Sequence, residues 1–157
     1  MNHSSQQGAV ASAVRTIEIE AQGLQQLREA LIEGKLRGAF EAAIEQISAA
    51  KGRVIITGLG KSGHVGKKIA ATLASTGTPT MFMHPSEASH GDLGMITAND
   101  VVLALSWSGE TAELRDTIAY CHRFGVPLIA ITSRHESALG SAAEICLPMP
   151  RGGEACP

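Results

Sequence analysis

The sequence predicts an α/β fold: a three-layer sandwich with helices on both faces of a five-stranded, mainly parallel sheet, preceded by two helices. Two observations carry this. From residue 53 onward, short β-branched apolar runs alternate with segments of helical period, the pattern of strands joined by right-handed helical crossovers. The composition is 44% hydrophobic but only 3% aromatic, so the core is built from Ala, Val, Ile, Leu and Met, as where helices pack on a buried parallel sheet.

Residues 1–11 are polar, without a basic start or an apolar stretch, and are expected to be a disordered leader rather than a signal peptide. Residues 12–33 carry Val14, Ile17, Ile19, Leu24, Leu27 and Leu31 at helical spacing. Gly34 interrupts that pattern, and residues 36–50 restart it with Phe40, Ala43, Ile44 and Ile47, so two helices are predicted. RVIITG from Arg53 is a glycine-ended apolar run and reads as a buried strand. A helix over residues 63–75 follows, stopped by the Thr76-Gly77-Thr78-Pro79 turn. Further strands are predicted at residues 80–83, at VVLALS from Val101, at PLIAIT from Pro127 and at residues 145–149, with helices over residues 111–124 and from near Glu136. The chain length suits one domain.

The charge balance excludes some functions. Thirteen Lys and Arg against 15 Asp and Glu leave a formal charge of −2, which gives no general attraction for nucleic acid. Cys121, Cys146 and Cys156 form no CxxC pair, so neither a disulfide framework nor a zinc ribbon is predicted, and a cytoplasmic setting follows. No apolar run approaches membrane-spanning length.

In such a sheet, ligands bind at the carboxyl ends of strands, where helix N-termini present unpaired N–H groups. Gly58-Leu59-Gly60-Lys61-Ser62-Gly63 matches GxGxxG, but the dinucleotide fingerprint also needs an acidic residue after the second strand, and His84 stands there. A P-loop is excluded because Ile55 occupies its first glycine position. The bland alternative is a tight turn with a solvated lysine. The second loop is Ser106-Trp107-Ser108-Gly109-Glu110-Thr111, between a strand and a helix. Its hydroxyls and N–H groups suit a phosphate cradle, although Ser108 or Thr111 could equally cap the helix. A lysine-bearing loop and a hydroxyl-rich loop together suggest one phosphomonoester. His90 and Asp92 are candidates for sugar hydroxyls. With His84 they are spaced too irregularly for a metal site, so no metal is predicted.

The motifs Gly58-Leu59-Gly60-Lys61-Ser62-Gly63-His64, Ser75-Thr76-Gly77-Thr78-Pro79, His90-Gly91-Asp92-Leu93-Gly94-Met95, Ser106-Trp107-Ser108-Gly109-Glu110 and Glu154-Ala155-Cys156-Pro157 resemble, in this order, the sugar isomerase (SIS) family, and within it the arabinose 5-phosphate isomerases. The resemblance runs from about residue 12 to the last residue and implies a flavodoxin-like SIS domain over residues 12–157. It implies an aldose–ketose isomerase interconverting D-arabinose 5-phosphate and D-ribulose 5-phosphate toward the Kdo sugar of lipopolysaccharide, with no cofactor and in a homo-oligomer, a tetramer. Gly60, Lys61, Ser62, His90, Ser106, Ser108 and Thr111 are the expected binding residues, and Lys61, Glu113 and Glu154 the catalytic ones. Glu154 is favoured as base because it lies in a glycine-rich irregular stretch, with Glu113 next. Trp107 departs from the small polar residue usual between the two serines of the family. Family members continue past EACP into a further helix and a Ser-His-Pro-Gly-Gly segment with a ring-opening histidine, often followed by CBS domains. The resemblance therefore implies a domain truncated at its C-terminus and not competent alone. The rival readings are a non-catalytic sugar-phosphate sensor and an NAD-binding domain; a sensor of the regulator type needs a basic helix-turn-helix that residues 1–50 do not offer.

Overall fold

The computed structural model describes residues 3–34 and 36–154. The chain packs as two compact units, one formed by residues 1–37 with 150–157 and the other by residues 38–149. In the first unit, α1 (His3–Glu33) is a single helix of 31 residues. It begins within the stretch expected to be a disordered leader. No proline interrupts residues 3–11, and Ala and Gln favour helix, so nothing local stops the helix from extending toward the N-terminus. α2 (Leu36–Ala49) follows the break at Gly34, as the restart of the apolar pattern predicts.

The second unit is built on five parallel strands: β1 (Val54–Gly58), β2 (Thr80–Met83), β3 (Val101–Leu105), β4 (Leu128–Thr132) and β5 (Ile145–Pro148). Their spatial order is β2-β1-β3-β4-β5. Val54 pairs with Thr80 on one side and Val101 on the other, and Leu103 with Ile129, so the apolar runs lie side by side through the sheet centre. Ile55, Ile56, Val102 and Ile129 are fully buried, each contributing about 1.5–3 kcal/mol by burial. This double burial explains why the strands read as continuous apolar runs rather than alternating ones.

The crossovers are α3 (Gly60–Ser75), α4 (Pro85–Ala88), α5 (Arg115–Phe124) and α6 (Ala138–Ala142). α3 starts three residues before the sequence predicts, because the loop after β1 is shorter than its glycines suggest. A Cβ at Gly63 would stand 2.6 Å from the Gly58 carbonyl oxygen. The glycine-rich motif thus serves close approach of helix to strand. The helix predicted over residues 111–124 divides into a 3₁₀ turn, Ala112–Leu114, and α5.

At the amino ends of the strands, Asp100 is 2% exposed. Its carboxylate accepts hydrogen bonds from the backbone N–H groups of Arg53 (2.6 Å) and Thr97 (2.8 Å), from the Thr97 hydroxyl (3.0 Å) and from the Arg53 guanidinium (3.3 Å). Burial pushes this carboxyl up, but those bonds outweigh it and hold it below its ordinary 3.8. The group fastens the start of β1 to the turn before β3.

Candidate functional site

The strand order reverses between β1 and β3: the chain moves from β1 outward to β2, then returns to lay β3, β4 and β5 on the other side. At such a switch point the loops leaving two adjacent strands diverge to opposite faces and leave a crevice. Lys61, expected in a loop, stands in the first turn of α3 just past the end of β1, and the loop after β3 carries Ser106, so the two motifs singled out by the sequence flank the switch point.

Lys61, Ser62, Ser106 and Trp107 line one cavity of about 330 Å³. Its other walls are apolar, from Val65 of α3, Leu105 and Ile131 at the ends of β3 and β4, and Met149 after β5. Among these lining residues Lys61 carries the one charge. A volume of this size lies in the range of small-molecule sites, about 300–1,000 Å³.

The loop after β3 is held from within. The Ser106 hydroxyl, in a residue 3% exposed, accepts the Gly109 N–H (3.0 Å) and pairs with the Thr111 hydroxyl (2.8 Å). Thr111 precedes the 3₁₀ turn yet makes no side-chain cap bond to it. Its hydroxyl is used inside the loop, so the capping alternative does not describe it. The Ser108 hydroxyl accepts the Glu110 N–H (3.2 Å). The backbone N–H groups of Ser108 and Thr111 donate to no group among the described residues, which leaves them available to an anion. Gly109 turns the chain at φ +70°, and a Cβ there would overlap the Ser137 hydroxyl. Ser137 in turn caps α6 by accepting the Gly140 N–H, and the Glu110 carboxylate accepts the Ala138 N–H, so α6 clamps the loop from behind. That clamp was missed in the sequence; its only trace is a serine three residues before a glycine.

The remaining predicted residues are placed as follows. Gly60 lines a neighbouring recess of about 170 Å³ with His64, Lys67 and His84. His84 caps α4, its Nδ1 accepting the Ser86 N–H (3.3 Å). His90 is exposed in the turn after α4, and Asp92 opens a 3₁₀ turn, Asp92–Met95. Among the described residues no three metal-ligating side chains are grouped. Glu113 is exposed in the 3₁₀ turn beyond Thr111. Glu154 is exposed in irregular chain of the other compact unit, and Cys156 lies outside the described residues. Cys121 is buried, and burial together with the Glu144 carboxylate pushes its thiol up to about 12; burial followed by Glu136 raises Cys146. Neither is a nucleophile at neutral pH.

A parallel sheet with a lysine at a helix start and a hydroxyl loop at its switch point invites comparison with known proteins. A profile described as the SIS domain matches residues 46–155. Arabinose 5-phosphate isomerase KdsD of Pseudomonas aeruginosa is 52% identical over 157 residues, covering 100% of this chain and 47% of the relative. The chain thus spans about half the length of the curated relatives it matches. Among solved structures, the c3406 protein of Escherichia coli CFT073 in complex with arabinose 5-phosphate superposes with a TM-score of 0.85 at 35% identity, covering 99% of this chain and 78% of that one. A protein of Listeria monocytogenes superposes with a TM-score of 0.90 at 29% identity, covering 100% and 78%. Profile, sequence relatives and superposed folds all meet on the strands and loops that build the cavity, and the chain belongs to the SIS domain family.

Proposed function

We propose that this chain is the sugar-phosphate domain of an isomerase that interconverts D-arabinose 5-phosphate and D-ribulose 5-phosphate. The observation that carries the reading is the convergence of Lys61 and Ser106 from two strand ends on one cavity at the switch point. The identity of 52% to an arabinose 5-phosphate isomerase along all 157 residues supports the choice of sugar.

In this reading the phosphate sits on the loop after β3, against the free N–H groups of Ser108 and Thr111 and beside Ser106, with Gly60 and Ser62 bounding the entrance to α3. His90 meets sugar hydroxyls. Glu154 takes the proton from C2 of the open-chain aldose, and the C–H electrons form the C1–C2 double bond while the carbonyl oxygen gains charge. Lys61, the one charged residue among those lining the cavity, offsets that charge. Return of the proton to C1, with transfer of the O2 proton to O1, gives the ketose. Glu113 is the alternative base. The reading also places the protein in the cytoplasm as a homo-oligomer. Support for association comes from α1, where Val10, Val14, Ile17 and Leu24 follow helical spacing and the last two are 66% and 68% exposed. No helix among the described residues is long and apolar enough to cross a membrane.

The test is ¹H NMR of arabinose 5-phosphate in D₂O with the whole protein and its Glu154→Gln variant. Ribulose 5-phosphate should appear with solvent deuterium at the carbon that receives the proton, and the variant should lose kcat about 10²–10⁴-fold with little change in KM. Exchange persisting at the parent rate in Glu154→Gln would move the base to Glu113. Binding of the sugar phosphate without any exchange would favour a sensor.

A further inference from the structure

Trp107 stands in the middle of an otherwise small and polar loop, and its side chain is 52% exposed. It is the one tryptophan in the chain, and a half-exposed indole presents an apolar face with a polar N–H at its edge. Its backbone is among the most firmly held in the loop. The Trp107 carbonyl accepts from the Ser133 hydroxyl (2.7 Å), the Ser133 N–H (3.0 Å) and the Thr132 hydroxyl (3.3 Å). Ser106 on one side and Gly109 on the other are tied as well, through Ser106 N–H to the Ile131 carbonyl (3.1 Å) and the Leu139 N–H to the Gly109 carbonyl (3.0 Å). Trp107 is therefore rigidly mounted, and it is among the residues that line the cavity with Lys61 and Ser106.

We infer that Trp107 is a specificity-determining residue, whose indole face packs against the C–H edge of the pentose chain while the neighbouring loop N–H groups hold the phosphate. This rests on the sugar-phosphate reading above. The occupant is set by connectivity: a ligand whose phosphate is held at Ser108 and Thr111 extends its carbon chain into the cavity bounded by the adjacent residue's ring. A sugar phosphate offers both parts, an anion for the loop and a row of C–H bonds for the ring. Inorganic phosphate offers only the first. Because the anchoring bonds use the Trp107 carbonyl rather than the ring, replacing the side chain leaves the loop's hydrogen bonds in place.

The experiment combines thermal shift with the emission of Trp107, the one tryptophan of these 157 residues. Wild type, Trp107→Asn and Trp107→Phe are titrated with arabinose 5-phosphate and with inorganic phosphate. Arabinose 5-phosphate should stabilise the protein and change the tryptophan emission, whereas phosphate at saturation should leave the emission unchanged. Trp107→Asn should weaken arabinose 5-phosphate about tenfold, near 1.4 kcal/mol, without altering the affinity for phosphate. Trp107→Phe should recover most of the loss, and the unliganded variants should melt close to wild type, as surface substitutions do. Equal affinity of wild type and Trp107→Asn for arabinose 5-phosphate would overturn the inference and leave the sugar-phosphate reading standing. An equal loss for phosphate would overturn it too, by making the ring a support of the loop. Absence of any thermal shift with arabinose 5-phosphate in wild type would overturn both.

Discussion

At the scale of single residues, Lys61 and Ser106 line the cavity, while Asp100 fastens the start of β1 to the turn before β3. Lys61 and Ser106 were legible because their motifs follow apolar strands and combine glycine with cation or hydroxyl. Asp100 was not, since an Asn-Asp turn gives no sign that its carboxylate will be buried under four donors. It is nonetheless the residue where pH should act. A carboxyl held below its ordinary 3.8 contributes stability that is present above pH 3.8 and is lost as pH falls through its lower folded value. Asp100→Asn should destabilise the protein at pH 7 by about 1.5–3 kcal/mol, the range for hydrogen bonds to a charged group. As pH falls from neutral to well below 3.8, the gap between variant and wild type should narrow. Melting curves at both pH values check this; a gap that widened on acidification would show that the carboxylate does not have the lowered affinity for protons that its donors imply.

At the scale of elements, the strands were the easiest part to read and the crossovers the hardest. RVIITG, VVLALS and PLIAIT are buried on both faces, so each announced itself as a short apolar run, and each strand lies within a residue or two of its expected place. The helix after β3 was expected to be continuous from Thr111, but the Ser106–Thr111 hydroxyl pair draws Thr111 into the loop and a 3₁₀ turn intervenes before α5. α6 was predicted to start near Glu136; it starts at Ala138, where Ser137 caps it and closes on Gly109. That contact couples the loop after β3 to α6 and gives an element-scale test. Gly109→Ala puts a side chain at φ +70°, costing about 1–2 kcal/mol for the left-handed backbone alone, and drives a methyl into Ser137. The variant should melt lower than wild type and lose its response to sugar phosphate together. A Gly109→Ala protein that melts like wild type and still responds would show that the loop has another conformation open to it.

At the scale of the whole molecule, the strand order decides which strand ends lie side by side, and no local pattern encodes it. Strands β1 and β3 are separated by 42 residues from the end of one to the start of the other, yet they are neighbours, and only that adjacency brings the start of α3 and the loop after β3 to one cavity. The apolar walls from Leu105, Ile131 and Met149 were invisible for the same reason: they come from three different strand ends and mean nothing until the sheet is assembled. The chemistry of the two motifs suggested that Lys61 and Ser106 act together, and the switch point supplies the physical reason they line one cavity. What the assembled molecule should do first is bind a phosphomonoester. A ligand at about 100 times its Kd adds about 2.7 kcal/mol of stability, which for a protein of this size raises Tm by roughly 5–10 °C.

The most direct measurement is therefore the thermal unfolding of the protein with saturating D-arabinose 5-phosphate beside the same concentration of D-arabinose. A phosphate-anchored site predicts a rise in Tm of several degrees with the phosphorylated sugar and none with the free sugar. Equal shifts with both sugars, or no shift with either, would contradict such a site between Lys61 and the Ser106 loop.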